Sequence, residues 1–166
     1  MAAIEAVEVP VPGVVGELAL LDTVDYADAY RVDTAHEHSP EQWMRAFLEG
    51  APRWFQLPWA GLGTALLGAR FGPLRGPGHV LGWRVLQDLP DAFAVGLDSA
   101  GGLDARLIAL TSPGQAVIAT QIRLRTRYAR SLWPAIRRGH RFFAPYLLAR
   151  AAARADSRNV RAASAR

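Results

Sequence analysis

The residue of this sequence best placed to do chemistry is His140, which interrupts an apolar stripe near the end of the chain. At a helical period of 3.6 residues, one face of segment 132–155 carries Trp133, Ile136, His140, Phe143, Leu147 and Ala151. A histidine among apolar side chains favours its neutral form, in which one ring nitrogen donates a hydrogen bond and the other accepts one. His140 is therefore either a hydrogen-bonded core residue or a polar anchor or acid–base group in an internal cavity.

Two polar residues of an early segment, Asp28 and Tyr30, are the candidates to orient His140. Residues 25–33 alternate, with Tyr26, Asp28, Tyr30 and Val32 on one side and Ala27, Ala29 and Arg31 on the other. This period of two predicts a strand with one mixed face. Contact between that face and the His140 stripe would give the imidazole a hydrogen-bond partner.

The residue types that are missing exclude several kinds of catalysis. The chain has no cysteine, which excludes disulfides, thiol nucleophiles and thiolate metal sites. All 19 cationic residues are arginine, so Walker phosphate loops, pyridoxal Schiff bases and lysine general bases are excluded as well. No cofactor is predicted. An enzyme of this composition would work by proton transfer.

A second possible site is the histidine pair His36 and His38, which could bind a metal ion. In an extended chain this spacing points both rings to one side, and Asp33, Glu37 and Glu41 lie nearby. A closed site needs third and fourth ligands in fixed geometry, and nothing in the sequence obliges these residues to converge. We therefore predict a solvated loop and no metal.

Charge is divided unevenly along the chain. Residues 1–104 contain 6 Arg and 14 acidic residues, whereas residues 105–166 contain 13 Arg and only Asp156 as an acid. Either the two halves pack together and attract each other, or the basic half forms a face for acidic partners. Nucleic-acid binders interleave such charges with exposed aromatic residues, which are scarce here, so nucleic acid is disfavoured and an anionic membrane surface stays open.

The order of predicted elements positions these residues. After the first strand, Ser39, Pro40 and Gln42 form the signature of a capped helix start. Residues 58–72 suggest a second, glycine-loosened helix. The period then changes to two, and short turns separate four further strands, at 80–88, 92–98, 105–111 and 116–127. Short connections imply an antiparallel meander, with one face in the core and the other in water.

These elements, ending in a long helix, resemble the helix-grip fold of the START-like (SRPBCC) superfamily. The segments that carry the likeness are DYADAYRV (25–32), SPEQWMRAF (39–47) and WPAIRRGHRFFAPYLLAR (133–150), and within the superfamily the chain is similar to bacterial domains of unknown function. The resemblance implies an α+β domain in which an antiparallel sheet wraps the C-terminal helix, with one or two short helices after the first strand. Members include polyketide cyclases and lipid-transfer proteins, so the fold does not decide the function.

The resemblance makes binding of a small apolar or amphipathic molecule, such as a lipid, between sheet and helix the first functional prediction. The alternatives are a cyclase- or dehydratase-like enzyme with His140 as acid or base, and an interaction protein with a filled core and an Arg-rich surface. The candidate ligand-binding residues are Asp28, Tyr30, Trp43, Phe47, Trp83, Phe93, Val95, Ile118, Ile122, His140 and Phe143.

Organisation and location follow from composition. We expect one helix-grip domain over residues 1–155, with residues 1–24 as an extended lead-in, and a flexible basic tail at 156–166. No run of apolar residues is long enough for a membrane span, and the acidic N-terminus is unlike a signal peptide, so a cytoplasmic protein is predicted. The oligomeric state stays open.

Overall fold

The computed structural model describes residues 4–35 and 37–164, and it places a single antiparallel sheet at the centre of this part of the chain. The strands are β1 (Val7–Glu8), β2 (Tyr26–Asp33), β3 (Arg75–Gly76), β4 (His79–Val80), β5 (Trp83–Asp88), β6 (Ala92–Leu97), β7 (Leu103–Ser112) and β8 (Gln115–Leu124). The helices are α1 (Gly13–Glu17), α2 (Pro40–Leu48), α3 (Arg53–Leu67) and α4 (Arg127–Ser164).

The sheet has the order β1-β2-β8-β7-β6-β5-β4-β3, so the first long strand lies beside the last. Each neighbouring pair is antiparallel, and β5 to β8 form the meander that the short turns predict. The register of β2 and β8 pairs Asp28 with Thr120 and Tyr26 with Ile122. Together with the long helix α4, this arrangement confirms the predicted helix-grip α+β fold.

The capped start of α2 is confirmed. The Ser39 side chain accepts a hydrogen bond from the Gln42 amide, and the Gln42 side chain accepts one from the Ser39 amide. The helix buries Trp43, Met44 and Phe47 against the sheet. It ends at Leu48 and does not extend to Trp54, because Pro52 cannot donate a backbone hydrogen bond and instead precedes a new helix.

Helix α3 therefore begins five residues before the predicted start at position 58 and contains Trp54. It ends at Leu67 and is capped by Gly68, whose φ of 60° is the left-handed conformation that a glycine adopts without steric cost. The following turns attach this end to the sheet: the Gly101 amide donates to the Leu67 carbonyl, and the Ala100 amide donates to the Gly68 carbonyl.

Helix α4 begins at Arg127, earlier than the predicted start at Leu132, because Thr126 caps it. The Thr126 hydroxyl accepts a hydrogen bond from the amide of Ala129, as an N-cap side chain does. The helix continues through Pro134 and Pro145 and reaches Ser164, so the backbone of residues 156–164 is helical. The predicted boundary between domain and flexible tail stays a prediction.

The apolar stripe of α4 faces the sheet, but its burial is uneven. Trp133, Leu147 and Ala151 are buried, whereas Ile136 and Phe143 of the same stripe are only half-buried. The reason is that both line a cavity and do not meet closely packed strand residues.

The middle of the second face of the sheet is also covered, so the prediction that this face meets water is wrong there and holds only near its margins, at residues such as the exposed Ala27 and Arg84. Val15 of α1 packs on a small cluster that the sheet contributes, made of Ala29, Ala94, Ile108 and Ala119. Val9, Val11, Leu18 and Leu20 pack around the same cluster. The spacing of these N-terminal apolar residues follows no helix or strand period, which is why the sequence pattern did not assign them to a face.

Ion pairs join the acidic first part of the chain to the basic second part, as one of the two charge interpretations predicts. Such pairs are Arg106–Asp98, Arg123–Asp22, Arg125–Asp104, Arg130–Asp25 and Arg141–Glu8. Arg125 is bidentate on the buried carboxylate of Asp104, at 2.7 and 3.2 Å.

Among the described helices, none combines the length and the apolar character that a bilayer crossing requires.

Candidate functional site

A cavity of about 140 Å³ lies between the sheet and helix α4. Helices α2 and α3 contribute Phe47, Leu48, Phe55, Leu62 and Leu66 to its lining. The sheet contributes Trp83, Leu97, Leu103, Ala105, Leu107 and Ile122, and α4 contributes Trp133, Ile136, Phe143, Ala144 and Leu147. The lining is thus overwhelmingly apolar, which is typical of a site for a small apolar molecule.

Ser99, Thr120 and His140 supply the polar side chains among the residues that line the cavity. The Ser99 hydroxyl accepts a hydrogen bond of 2.9 Å from the Leu103 amide and so serves the turn between β6 and β7. Thr120 hydrogen-bonds Asp28, its partner across the β2–β8 pair. His140 is therefore the polar lining residue with the most freedom to interact with a ligand.

Asp28 orients His140 through the side of the ring that bears Nε2. The two carboxylate oxygens lie 3.1 and 2.9 Å from Nε2, and the Asp28 side chain is almost completely buried. Because an ionised carboxylate only accepts hydrogen bonds, Nε2 must carry a proton and donate it. Nδ1 has no hydrogen-bond partner in the described part of the chain, so in the neutral ring it holds a free lone pair.

The Asp28 carboxylate is kept ionised by its surroundings. Burial raises its pKa, but hydrogen bonds from His140, Tyr26 and Thr120, together with the electrostatic interaction with the His140 ring, more than offset this, and the pKa lies below its ordinary value. The Tyr26 hydroxyl donates to Oδ2 over 2.7 Å. Burial, followed by the bond to Asp28, raises the pKa of Tyr26 to about 12, so Tyr26 stays a donor at neutral pH.

This polar group extends to the surface. Arg141 hydrogen-bonds Tyr26 and donates to Glu8 of β1 over 2.6 Å, and the Arg137 guanidinium lies 5.4 Å from the centre of the Tyr26 ring. Trp133 packs against Tyr26 with a ring separation of 4.9 Å. The orientation of the Asp28–His140 pair is thus supported by contacts from β1, β2, β8 and α4.

The structure brings part of the predicted site together. Phe47, Trp83, Ile122, His140 and Phe143 line the cavity, and Asp28 contacts His140. Tyr30 is buried beside this pair, and burial, followed by the charge of Asp28, raises its pKa to about 12.

The other predicted wall residues lie elsewhere. Trp43, Phe93, Val95 and Ile118 are packed core residues and are not part of the cavity lining. All four belong to the same core cluster as the residues that line the cavity, so their inward orientation was predicted correctly.

Sequence reasoning missed Tyr26, Thr120 and the contribution of α3. Tyr26 lies on the same strand face as Asp28, and Thr120 is a polar residue on the otherwise apolar face that contains Ile118 and Ile122. The alternation of side chains along each strand already placed both residues on these faces. The position of Leu62 and Leu66 over the cavity depends on the tertiary placement of α3, which no local pattern encodes.

The predicted absence of a metal site concerns His36 and His38. His36 lies outside the described residues. The His38 ring lies 5.7 Å from the Trp43 ring, at the start of α2. Within the ranges 4–35 and 37–164, no group of three or more histidine or acidic residues is arranged to hold a metal ion.

Comparison with known proteins gives similarity of shape only. No protein-family model matches this chain, and no curated protein matches it. Among solved structures it is similar to norcoclaurine synthase from Thalictrum flavum, at 13% identity over 75% of this chain and 84% of that chain, with a TM-score of 0.36. A point mutant of that synthase with a transition-state analogue gives 14% identity over 82% and 99% of the two chains and a TM-score of 0.38. Similarity at this level assigns neither a family nor an activity.

Proposed function

We propose that this protein binds a small apolar or amphipathic molecule in the cavity between the sheet and α4. The observation that carries the proposal is the apolar lining combined with one oriented polar group, the Asp28–His140 pair. Membership of the bacterial START-like superfamily belongs to the same proposal and is supported by the order of the elements. A domain over residues 1–155 and a cytoplasmic location stay predictions.

The cavity volume sets the size of the ligand. A cavity of about 140 Å³ is close to the ~150 Å³ at which an engineered apolar cavity accepts benzene. Drug-sized ligands need roughly 300–1,000 Å³. The ligand that fits this conformation is therefore about the size of one aromatic ring, and a whole lipid would require α3 to move outward.

The Asp28–His140 pair sets the polarity of the ligand. Because Asp28 fixes the proton on Nε2, Nδ1 of the neutral ring accepts a hydrogen bond. A phenol, alcohol or amide N–H matches this acceptor, whereas a purely hydrocarbon ring leaves it without a partner. The proposed ligand is therefore a ring-sized molecule with one donor group.

Ligand binding is tested on the purified protein. Native mass spectrometry and solvent extraction identify any co-purifying molecule, and titration with phenol and toluene, followed by NMR shifts of cavity-lining methyl groups, measures affinity for defined probes. We expect both probes to shift the resonances of Leu62, Ile122 and Leu147, and phenol to bind more tightly. Absence of shifts with either probe contradicts the proposal.

A second candidate function is proton-transfer catalysis in the same cavity, as in a polyketide cyclase or dehydratase. The observation that favours it is the contact of the buried Asp28 carboxylate with Nε2, which leaves Nδ1 without a partner in the described residues, an arrangement suited to a general base. The substrate would be an enolisable ring-sized compound. In the variant His140→Gln, turnover should be lost while probe binding persists; unchanged turnover contradicts the catalytic role.

The third candidate, an interaction protein with a filled core, has less support because the interior contains a cavity. Its basic surface is also reduced by the ion pairs that join the two parts of the chain. Binding to acidic partners that weakens steeply with salt would support it.

A further inference from the structure

The outer face of α3 is apolar although it faces solvent. Trp54 is 62% exposed, Leu57 74%, Leu62 56% and Leu66 43%. Arg53, at the first position, is the one charged residue of the helix sequence RWFQLPWAGLGTALL. A surface helix normally carries polar side chains on its outer face, so α3 lacks the polar half of this pattern.

Helix α4 extends this apolar surface. Phe142 is 68% exposed and Tyr146 is 41% exposed. The half-buried Phe143 joins the two helices, with its ring 6.3 Å from the Trp54 ring and 5.1 Å from the Phe142 ring. We call the resulting surface the α3–α4 patch; it consists of Trp54, Leu57, Leu62, Leu66, Phe142 and Tyr146. Exposed apolar patches of this kind mark sites of interaction.

The charged residues that α3 and the adjacent part of α4 carry are all arginine, and the nearby acids Glu49 and Asp98 are ion-paired with Arg45 and Arg106. Residues 50–87 and 105–155 contain no Asp or Glu, so neither α3 nor the part of α4 beside it carries an acid. Arg53 lies at the start of α3, and Arg127 begins α4 next to Tyr128, whose hydroxyl donates to the Leu66 carbonyl near the end of α3. Arg138 lies one turn before Phe142. All three arginines are exposed and make no ion pair within the described residues.

We propose that the α3–α4 patch docks on the surface of a lipid bilayer that contains anionic lipids. An apolar helix face flanked by arginines matches a bilayer interface, where apolar side chains enter the acyl boundary and cations meet the headgroups. A second copy of the chain fits less well, because a two-fold contact through this patch would bring arginines against arginines. Nucleic acid fits less well because much of the patch is aliphatic.

The position of the cavity gives this docking a consequence. Leu62 and Leu66 belong to the patch and also line the cavity. The bilayer would therefore contact the wall of the cavity directly, and an apolar ligand could pass between membrane and cavity without crossing water. The docking itself depends on the surface alone and holds whether or not the cavity binds a ligand.

The test is co-sedimentation with vesicles of phosphatidylcholine, with and without phosphatidylglycerol. We expect the full chain to bind the anionic vesicles, to bind pure phosphatidylcholine much more weakly, and to be released as salt increases. Leu57→Ser combined with Phe142→Ser should weaken partitioning at least about tenfold, since each change removes a large side chain from the acyl boundary. Arg138→Glu should weaken binding to anionic vesicles only.

The matched control is Leu89→Ser, which removes an exposed apolar side chain from the turn between β5 and β6, and it should bind like the unmodified chain. Circular dichroism confirms that each variant is folded. Three results overturn the proposal: no binding to anionic vesicles at low salt, equal binding by the Leu57/Phe142 double variant and the Leu89 variant, or a dimer in solution that Leu57→Ser dissociates.

Discussion

Nε2 of His140 lies 2.9 Å from Oδ2 of Asp28, and 112 residues of chain separate the two. The contact joins the first long strand to the last helix at the border of the apolar cavity. It determines which ring nitrogen carries the proton and leaves the other free, and both proposed uses of the cavity depend on that assignment.

Asp28→Asn should lower stability in a pH-dependent way. The folded pKa of Asp28 is depressed below the ordinary value of 3.8, so its contribution is present above pH 3.8 and is lost as pH falls through the folded pKa. At neutral pH we expect a loss of about 1–3 kcal/mol, since buried hydrogen bonds are disrupted. Urea unfolding at several pH values should show the difference from the unmodified chain shrinking below pH 3.8.

The control for this measurement is Asp22→Asn. Asp22 pairs with Arg123 but its side chain is 89% exposed, so its removal should change stability little at any pH. If Asp28→Asn has as small an effect as Asp22→Asn, the pair with His140 does not stabilise the fold.

Filling the cavity should abolish probe binding without unfolding the protein. Ala144 is buried and lines the cavity, so the side chain in Ala144→Leu would occupy space that a ring-sized ligand needs. We expect affinity for phenol, measured by NMR titration, to fall at least about tenfold while the melting temperature is kept. Ala135→Leu, at an exposed position of the same helix, is the control. Unchanged phenol binding by Ala144→Leu places the ligand elsewhere.

Two phenylalanines should differ in their importance for stability. Phe93 is 1% exposed in β6, and Phe93→Ala should cost about 3–5 kcal/mol. Phe143 is half-buried and borders the cavity, so Phe143→Ala should cost less than about 3 kcal/mol because less packed surface is lost. Chemical denaturation of both variants checks the order; a larger loss for Phe143→Ala would mean that the cavity is closed in solution.

The end of α3 should depend on Gly68. Gly68 has φ of 60°, and an added Cβ would lie 3.1 Å from Cβ of Ala100, so Gly68→Ala should destabilise the protein by about 1–2 kcal/mol. Gly61, in the same helix, has open space around it, and Gly61→Ala should stabilise by about 0.5–1 kcal/mol. Thermal unfolding of the two variants distinguishes them by opposite shifts. Equal shifts would show that the left-handed cap is not required.

The local periods in the sequence predicted the elements that carry the fold. Alternation of side chains predicted β2 and the meander, and the Ser39–Gln42 pair predicted the start of α2. The apolar stripe predicted that α4 packs against the sheet. They succeeded because each signal is local: side-chain direction repeats every two residues in a strand and every 3.6 in a helix. The boundary errors arose at Pro52 and Thr126, where one residue ends one element or caps the next.

The sequence by itself determined the antiparallel sheet, the long gripping helix and the choice of His140 as the exceptional polar residue. Only the tertiary structure decided that Asp28, with Tyr26 and Thr120, orients that histidine, because this contact depends on strand register and on the angle of α4 across the sheet. The same holds for the placement of α3, whose Phe55, Leu62 and Leu66 line the cavity while Trp54 and Leu57 stay exposed. A side chain is buried only when other parts of the chain pack against it. A sequence period predicts an apolar face, but it does not predict which of two apolar faces will be covered.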